Sequence, residues 1–428
     1  MKKNILVFPC GSEIGLEIHN ALKYVKGITL YGASSVSDHG KYVYRNYIEG
    51  LPHIDSESFI DAINQVIDEY KIDYIFPAHD SAVLKLAQFS EQLGAEVITS
   101  TQETCKICRS KEKTYLNFKG EAFIPDMYEE QSEVQEYPVF LKPDVGQGSQ
   151  GIALAKNPDE LEFHLTKNEN LLILEYLPGK EYTVDCFTDR NGELRFSGMR
   201  ERHRVKSGIS VNSMSVKMKE QVKEIAHRIN EKMNLRGMWF FQVKEAKDGS
   251  FKLLEIAPRV AGTMSLYRNK GVNFPLLSVF DRMNMDVEII ENEFEIEVDR
   301  ALINRFNLNI SYDRVYIDFD DTITLNEKIN PYIMMFIYQC VSKDIDMILI
   351  TKHIHQIMET LTTLRIDPSL FKEIIHIHKD EEKHTYITME KTAIFIDDSY
   401  AERKKIKEKH GIPVFDVDAL ESLIDWRN

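Results

Sequence analysis

The chain has 428 residues, 43% hydrophobic and 28% charged, which is ordinary for a globular protein and enough for two or three domains with real cores. Its formal charge of −15 argues against a nucleic-acid or anionic-membrane binder, which would present a basic face. No apolar run approaches a membrane span, MKKNILVFPCGSEIG lacks the apolar stretch of a signal peptide, and five scattered cysteines suit a reducing cytoplasm.

Residues 1–110 alternate short apolar strands with amphipathic helices: strand Asn4–Phe8, helix Leu16–Val25, strand Ile28–Tyr31, helix Ser56–Tyr70, strand Tyr74–Pro77, helix Ser81–Leu93 and strand Glu96–Ile98. That βαβ pattern predicts a doubly wound parallel sheet. The first turn carries only Gly11 and Gly15, too few for a dinucleotide fingerprint. His79 and Asp80 follow a strand end, where a substrate contact would sit, although Asp80 also reads as a helix cap. Cys105 and Cys108 form a lone CxxC in the helical-looking TCKICRSKEK and read as incidental.

After a polar, acidic connection, YPVFLKPDVGQGSQGIA places an apolar strand, Val139–Leu141, before Lys142, a loop with Gly146, Gly148 and Gly151, and a returning strand, Ile152–Ala155. Glycines let backbone N–H groups close on an anion while the lysine adds a point charge. The spacing is neither GxxxxGK(S/T) nor GxGxxG before a helix, so the expectation is a phosphate-clamping hairpin flap. Helix Pro158–Thr166, strand Leu171–Glu175 and the turn DRNG between Tyr182–Phe187 and Leu194–Gly198 follow. Basic residues then crowd RERHRVKSG, and helix Lys219–Met233 precedes strands Gly237–Lys244 and Phe251–Ile256. Gln242 and Glu255 lie near the ends of those paired strands and could face one hard cation, with Arg259 in the turn beyond.

Lys111, Lys142 with GQGSQG, Glu175 and Glu181 in LEYLPGKEYTVD, Arg200 and Arg202, Gln242, Glu255 and Arg259 resemble, in order and spacing over about 150 residues, the ATP-grasp carboxylate–amine ligases, in the branch that includes carbamoyl-phosphate synthase. The resemblance implies that Lys111 and Lys142 contact ATP phosphates, with Gly146, Gln147, Gly148 and Ser149 closing over them. It further implies that Glu175 and the backbone near Leu177 hold adenine and Glu181 the ribose. Gln242 and Glu255 would bind Mg2+, while Arg202 and Arg259 steady the transferred phosphoryl group. Lys113 is an alternative to Lys111. Where the family has Glu-x-Asn-x-Arg, this chain reads LEIAPR, so Ala257 removes one oxygen ligand.

From Asp313 a second parallel sheet is expected, with strands Val315–Phe319, Met347–Ile350, Ile374–Ile377 and Thr392–Ile396. DFDDT after the first strand, Thr351 after the second and FIDD at the last resemble the haloacid-dehalogenase-like (HAD) phosphatases. That resemblance implies Asp318 as nucleophile, Asp320 as general acid/base, Thr351 on the phosphate, and Asp318, Asp320 and Asp397 around Mg2+. A lysine would stabilise the phosphoaspartate, with Lys383 chosen over Lys379. The spacing leaves no room for a cap domain. Histidines 353, 355, 376, 378 and 384 read as solvated rather than as a metal cluster.

The expectation is an α/β and α+β chain with a doubly wound sheet over 1–110, an ATP-grasp fold over 111–305 and a capless HAD-like Rossmannoid domain over 311–428. Its implied activity joins a small carboxylate to an amine or amino acid using ATP and Mg2+, beside a phosphomonoesterase acting on a phosphorylated small molecule. A carbamoyl-phosphate-like kinase and an ATP-binding scaffold silenced by Ala257 are the alternatives. Cytoplasmic location and freedom from nucleic acid and membrane are expected, and a homo-oligomer is left open.

Overall fold

Alternating buried strands and one-sided helices build the first hundred residues. In chain order they are β1 (Lys3–Phe8), α1 (Glu13–Leu22), β2 (Ile28–Ser34), β3 (Asn46–Glu49), α2 (Phe59–Tyr70), β4 (Tyr74–Pro77), α3 (Asp80–Gln88) and β5 (Glu96–Val97). The strands pair in parallel in the order β3-β2-β1-β4-β5. In α2 the buried residues Phe59, Ile60, Ile63, Val66 and Ile67 recur at helical spacing and pack on β1 and β4. The sequence reading missed β3, whose residues are all partly or fully exposed and so lack an apolar run.

Helices α4 (Gln102–Arg109) and α5 (Lys111–Asn117) follow, broken at Ser110, whose hydroxyl caps α5 by accepting from the Lys113 N–H. Next come β6 (Met127–Tyr128), β7 (Val139–Pro143), β8 (Ala153–Ala155), α6 (Pro158–Lys167) and β9 (Leu171–Glu175), with an antiparallel sheet β6-β9-β7-β8. A larger antiparallel sheet joins β10 (Glu181–Thr188), β11 (Leu194–Lys206), β12 (Ile209–Ser215), β13 (Gly237–Glu245), β14 (Phe251–Ala257) and β15 (Glu297–Asp299) in the order β14-β13-β10-β11-β12-β15. Helices α7 (Glu220–Lys232), α8 (Ser265–Asn269) and α9 (Phe274–Arg282) complete this part. The basic run expected to follow a short strand is itself strand: β11 continues to Lys206 and turns through Ser207 and Gly208, both at positive φ, as tight hairpins require.

A computed structural model describes residues 2–146, 148 and 150–427 and divides them between two compact units, Met1–Leu302 and Ile303–Asn428. Within the first unit, one apolar cluster runs from Ile5, Val7 and Phe76 of the parallel sheet to Phe187, Phe240, Met264 and Phe274. The opening sheet is thereby welded to the antiparallel one, since burying such a contact removes both surfaces from water.

In the second unit the elements are β16 (Arg314–Ile317), β17 (Thr324–Leu325), β18 (Lys328–Ile329), α10 (Pro331–Ser342), β19 (Asp346–Thr351), α11 (Ile357–Thr363), β20 (Glu373–His376), β21 (Ala393–Ile396), α12 (Tyr400–His410) and β22 (Val414–Phe415). Five strands pair in parallel in the order β20-β19-β16-β21-β22. β16 sits centrally, so its carboxyl end delivers Asp318 where neighbouring loops converge. Among the described residues no helix is long and apolar enough to cross a membrane.

Candidate functional site

In the first unit, a cavity of about 680 Å³ opens between the two sheets. Gln242 and Glu255 face each other directly across β13 and β14, and both line it. Their pairing puts two oxygen donors on one face of the sheet. Arg202 of β11 is 5% exposed and reaches the same place: Nη1 donates to Gln242 Oε1 at 2.8 Å and pairs with Glu181, while Nη2 donates to the Gly208 carbonyl at 2.8 Å. Its Nε is buried without a partner among the described residues. Arg259 also lines the cavity, stacked 5.2 Å over Phe240.

Asp80 grips Arg259 from the opening domain, with bonds of 2.5 Å from Nε and 2.9 Å from Nη2. Burial would raise the Asp80 carboxyl, but the guanidinium holds it below the usual range. Of the two roles left open for Asp80, substrate contact or cap of α3, the cap falls to its neighbour. His79 is the cap, its Nδ1 accepting from the Ser81 N–H at 3.3 Å, which leaves the Asp80 carboxylate free to hold the arginine.

Lys142 points from β7 into the sheet and is 6% exposed. Its ammonium donates to the Tyr115 hydroxyl at 2.6 Å and to the Leu254 carbonyl at 3.3 Å. Burial, then the nearby Lys111, lower its pKa to about 7. Lys111 lines a recess with Glu255 and Arg259 and donates to the Asp144 carbonyl at 3.1 Å, whereas Lys113 is exposed. Arg109 ties the flap down by donating to the Gly146 carbonyl at 3.2 Å. Gly148 lines the cavity, while Gln147 and Ser149 lie outside the described residues.

Beside this cleft an apolar pocket is lined by Phe140, Leu174, Leu177 and Leu254, together with Lys142, Glu175 and Glu181. It has the chemistry of a site for a flat, weakly polar ring. The Glu175 carboxylate accepts from the Asp126 N–H at 3.0 Å, which fixes the strand end that carries it. Tyr115, which the sequence reading passed over, joins the pocket to the lysine.

Arg200 does a different job from Arg202. It is 2% exposed and holds the wholly buried Asp185, with Nε donating at 2.7 Å and Nη2 at 3.2 Å. Asp185→Ala strands a buried guanidinium and is expected to lower this unit's unfolding free energy by about 3–5 kcal/mol, read from its urea transition. A loss below about 1 kcal/mol would show that the pair is dispensable. Cys105 is buried and free, and burial pushes its thiol up to about 11, the opposite of a reactive thiolate.

The second unit gathers a separate set. Among the described residues, Asp318, Asp397 and Asp398 form the one group of ionisable ligands whose oxygens converge, all within 4.8 Å of one another. Lys383 lies between Asp318 and Asp397, 2.6 Å from each. Burial raises both carboxyls and the lysine opposes it. Thr322 ties the two loops together, its hydroxyl accepting from the Asp398 N–H at 3.1 Å. Buried Thr351 ends β19 beside them.

Two details differ from the sequence reading. The carboxylate that completes the acidic group is Asp398; the Asp320 side chain instead meets His353, at 2.9 and 3.0 Å from Nδ1. His353 was expected to be solvated, yet its side chain is only 10% exposed, because the loop after Thr351 folds it over Phe319. A histidine two residues past a strand end is the signal that could have marked it.

Residues 167–304 match the family described as "ATP-grasp in the biosynthetic pathway with Ter operon". The chain is 25% identical over 244 residues to the arginine-specific large chain of carbamoyl phosphate synthase from Halalkalibacterium halodurans, covering 51% of this chain but only 23% of that one. It therefore spans under a quarter of that relative's length. In structure it resembles the biotin carboxylase domain of Hydrogenobacter thermophilus 2-oxoglutarate carboxylase, solved with MgADP, ADP and bicarbonate (TM-score 0.58, 16% identity, 69% of this chain and 74% of that). It also resembles an L-amino acid ligase from Bacillus licheniformis (TM-score 0.54, 17% identity, 65% of this chain and 73% of that).

Proposed function

We propose that the ATP-grasp domain this chain carries activates a small carboxylate as an acyl phosphate for attack by an amine or amino acid, releasing ADP and phosphate. The observation that carries this reading is the cross-strand pair Gln242 and Glu255 with Arg202 and Arg259 lining one cavity. The donors are all oxygens, which fits Mg2+, although Ala257 supplies none. When bound, Mg2+ would neutralise phosphate charge.

The chain's own residues do the rest. The apolar pocket takes the adenine, Glu181 the ribose, and Lys111 and Lys142 the phosphates. Arg259, immobilised by Asp80, presents fixed positive charge where negative charge grows on the transferred group, so little reorganisation is needed. The flap excludes water and protects the acyl phosphate from hydrolysis.

Our second reading, carried by Lys383 between Asp318 and Asp397, is a phosphomonoesterase in residues 303–428. Asp318 attacks phosphorus and Lys383 offsets the charge of the phosphoaspartate. Asp398, with Asp318 and Asp397, makes an all-oxygen set that fits Mg2+.

The ligase reading is tested by supplying ATP, Mg2+ and panels of amino and sugar acids and following products. ADP release that rises at least about tenfold with a matched carboxylate and amine is expected. AMP with pyrophosphate would refute it, and ATP binding without turnover on any pair would favour the scaffold alternative.

A further inference from the structure

His353 is fixed from several sides. Its N–H donates to Thr351 Oγ1 at 3.1 Å, its carbonyl lies 2.7 Å from His376 Nε2, and its ring stands edge-on to Phe319 at 5.1 Å. The ring then bridges two groups, with Nδ1 on both Asp320 oxygens and Nε2 at 2.9 Å from Thr360 Oγ1. A merely solvated histidine would have no reason to be held in this way.

On the far side of the ring, Thr360 Oγ1 lies 2.9 Å from His353 Nε2 and 3.3 Å from the Gln356 carbonyl, so the imidazole is held at both nitrogens. The contact between Nδ1 and Asp320 must contain one proton, because lone pairs facing at 2.9 Å would repel. Asp320 itself is half exposed, so without the ring its side chain would be free to turn into solvent.

We infer that His353 is a positioning residue for the phosphatase reaction, holding the Asp320 carboxyl in place for the leaving group. The inference rests on the phosphomonoesterase reading above. In the first half-reaction the Asp318 Oδ–P bond forms as the ester P–O bond breaks, and the proton passes from Asp320 to the departing alcohol oxygen. In the second, water forms its bond to phosphorus, the Asp318–P bond breaks, and the water's proton returns to Asp320. Alcohol and phosphate are the net products.

The dependence on leaving group separates this role from a structural one. p-Nitrophenolate departs without a proton, whereas an alkoxide must be protonated as it leaves. The experiment measures kcat and KM of the full chain with Mg2+ on p-nitrophenyl phosphate and β-glycerol phosphate, for the unmodified protein, His353→Ala, His353→Asn and Asp318→Asn. His353→Ala should lower kcat on β-glycerol phosphate about 50-fold or more, at least tenfold more than on p-nitrophenyl phosphate, with KM within about threefold. His353→Asn, whose amide can still donate to Asp320, should recover part of the difference. Equal losses on both esters with an unchanged melting temperature, or no loss on either, would overturn the inference while Asp318→Asn still abolished activity. Activity that survives Asp318→Asn, or an unmodified protein that cleaves neither ester, would remove the phosphatase reading and this inference with it.

Discussion

Asp318→Asn is expected to lower hydrolysis of p-nitrophenyl phosphate at least about 1000-fold while leaving nucleotide binding in the first unit intact. The amide has the carboxylate's shape but not its nucleophilic oxygen, so phosphorus cannot be transferred to the chain. Folding should survive, because the exchange leaves Lys383 paired with Asp397 rather than stranding a buried ammonium. Removing the lysine instead would press two buried carboxylates together, and those variants should be poorly folded. Lys142→Ala is the mirror experiment: ATP turnover falls by a comparable factor and phosphatase activity stays within about twofold. Release of ADP from ATP, thermal-shift titration with a non-hydrolysable ATP analogue and the ester assay together read turnover, nucleotide binding and phosphatase activity. Coupled loss of both activities in either variant would show that the chemistry has been divided wrongly between the units.

Strands buried on both faces were legible, because residues such as YIFP and AIFI are apolar from end to end. The part of the β11–β12 hairpin beyond Met199 was not, since polar side chains such as Arg200, Arg202 and Ser210 line the cavity there and the apolar alternation disappears. Site residues followed the same division. Those on strands, Lys142, Gln242 and Glu255, stand where strand register puts them, and a period of two residues makes such placement readable, while Asp318 directly follows β16. Asp80, Tyr115 and His353 were missed or misread, because each acts on a partner far away in sequence: Arg259, Lys142 and Asp320. No local pattern records such a contact. Side-chain assignments at strand ends were also ambiguous within a residue or two, which is why Asp398 rather than Asp320 completes the acidic group.

The depressed pKa of Lys142 gives the nucleotide site a proton-linked signature. Without nucleotide, burial and Lys111 bring its pKa to about 7, so at pH 8.5 most of the lysines are neutral. A bound triphosphate places negative charge against the ammonium and raises that pKa again. Binding should therefore take up close to one proton per nucleotide at pH 8.5 and almost none at pH 6. The apparent Kd should rise above pH 7 by at most about tenfold per pH unit, since a single proton is linked. The same shift acts on stability in the opposite direction. Between about 7 and the usual lysine value of 10.5 the unfolded chain binds a proton that the folded one does not, so its contribution to stability rises with pH across that window and is least below 7. Calorimetry of a non-hydrolysable analogue at saturating Mg2+, in phosphate and in Tris, counts the protons from the difference in heat. Lys142→Arg, charged at every pH used, should abolish the uptake due to this side chain and leave only any share from Lys111, whose pKa is also lowered by burial. Equal uptake in Lys142→Arg and the unmodified protein would mean that Lys142 does not meet the phosphates, and the proposed nucleotide geometry would have to be abandoned.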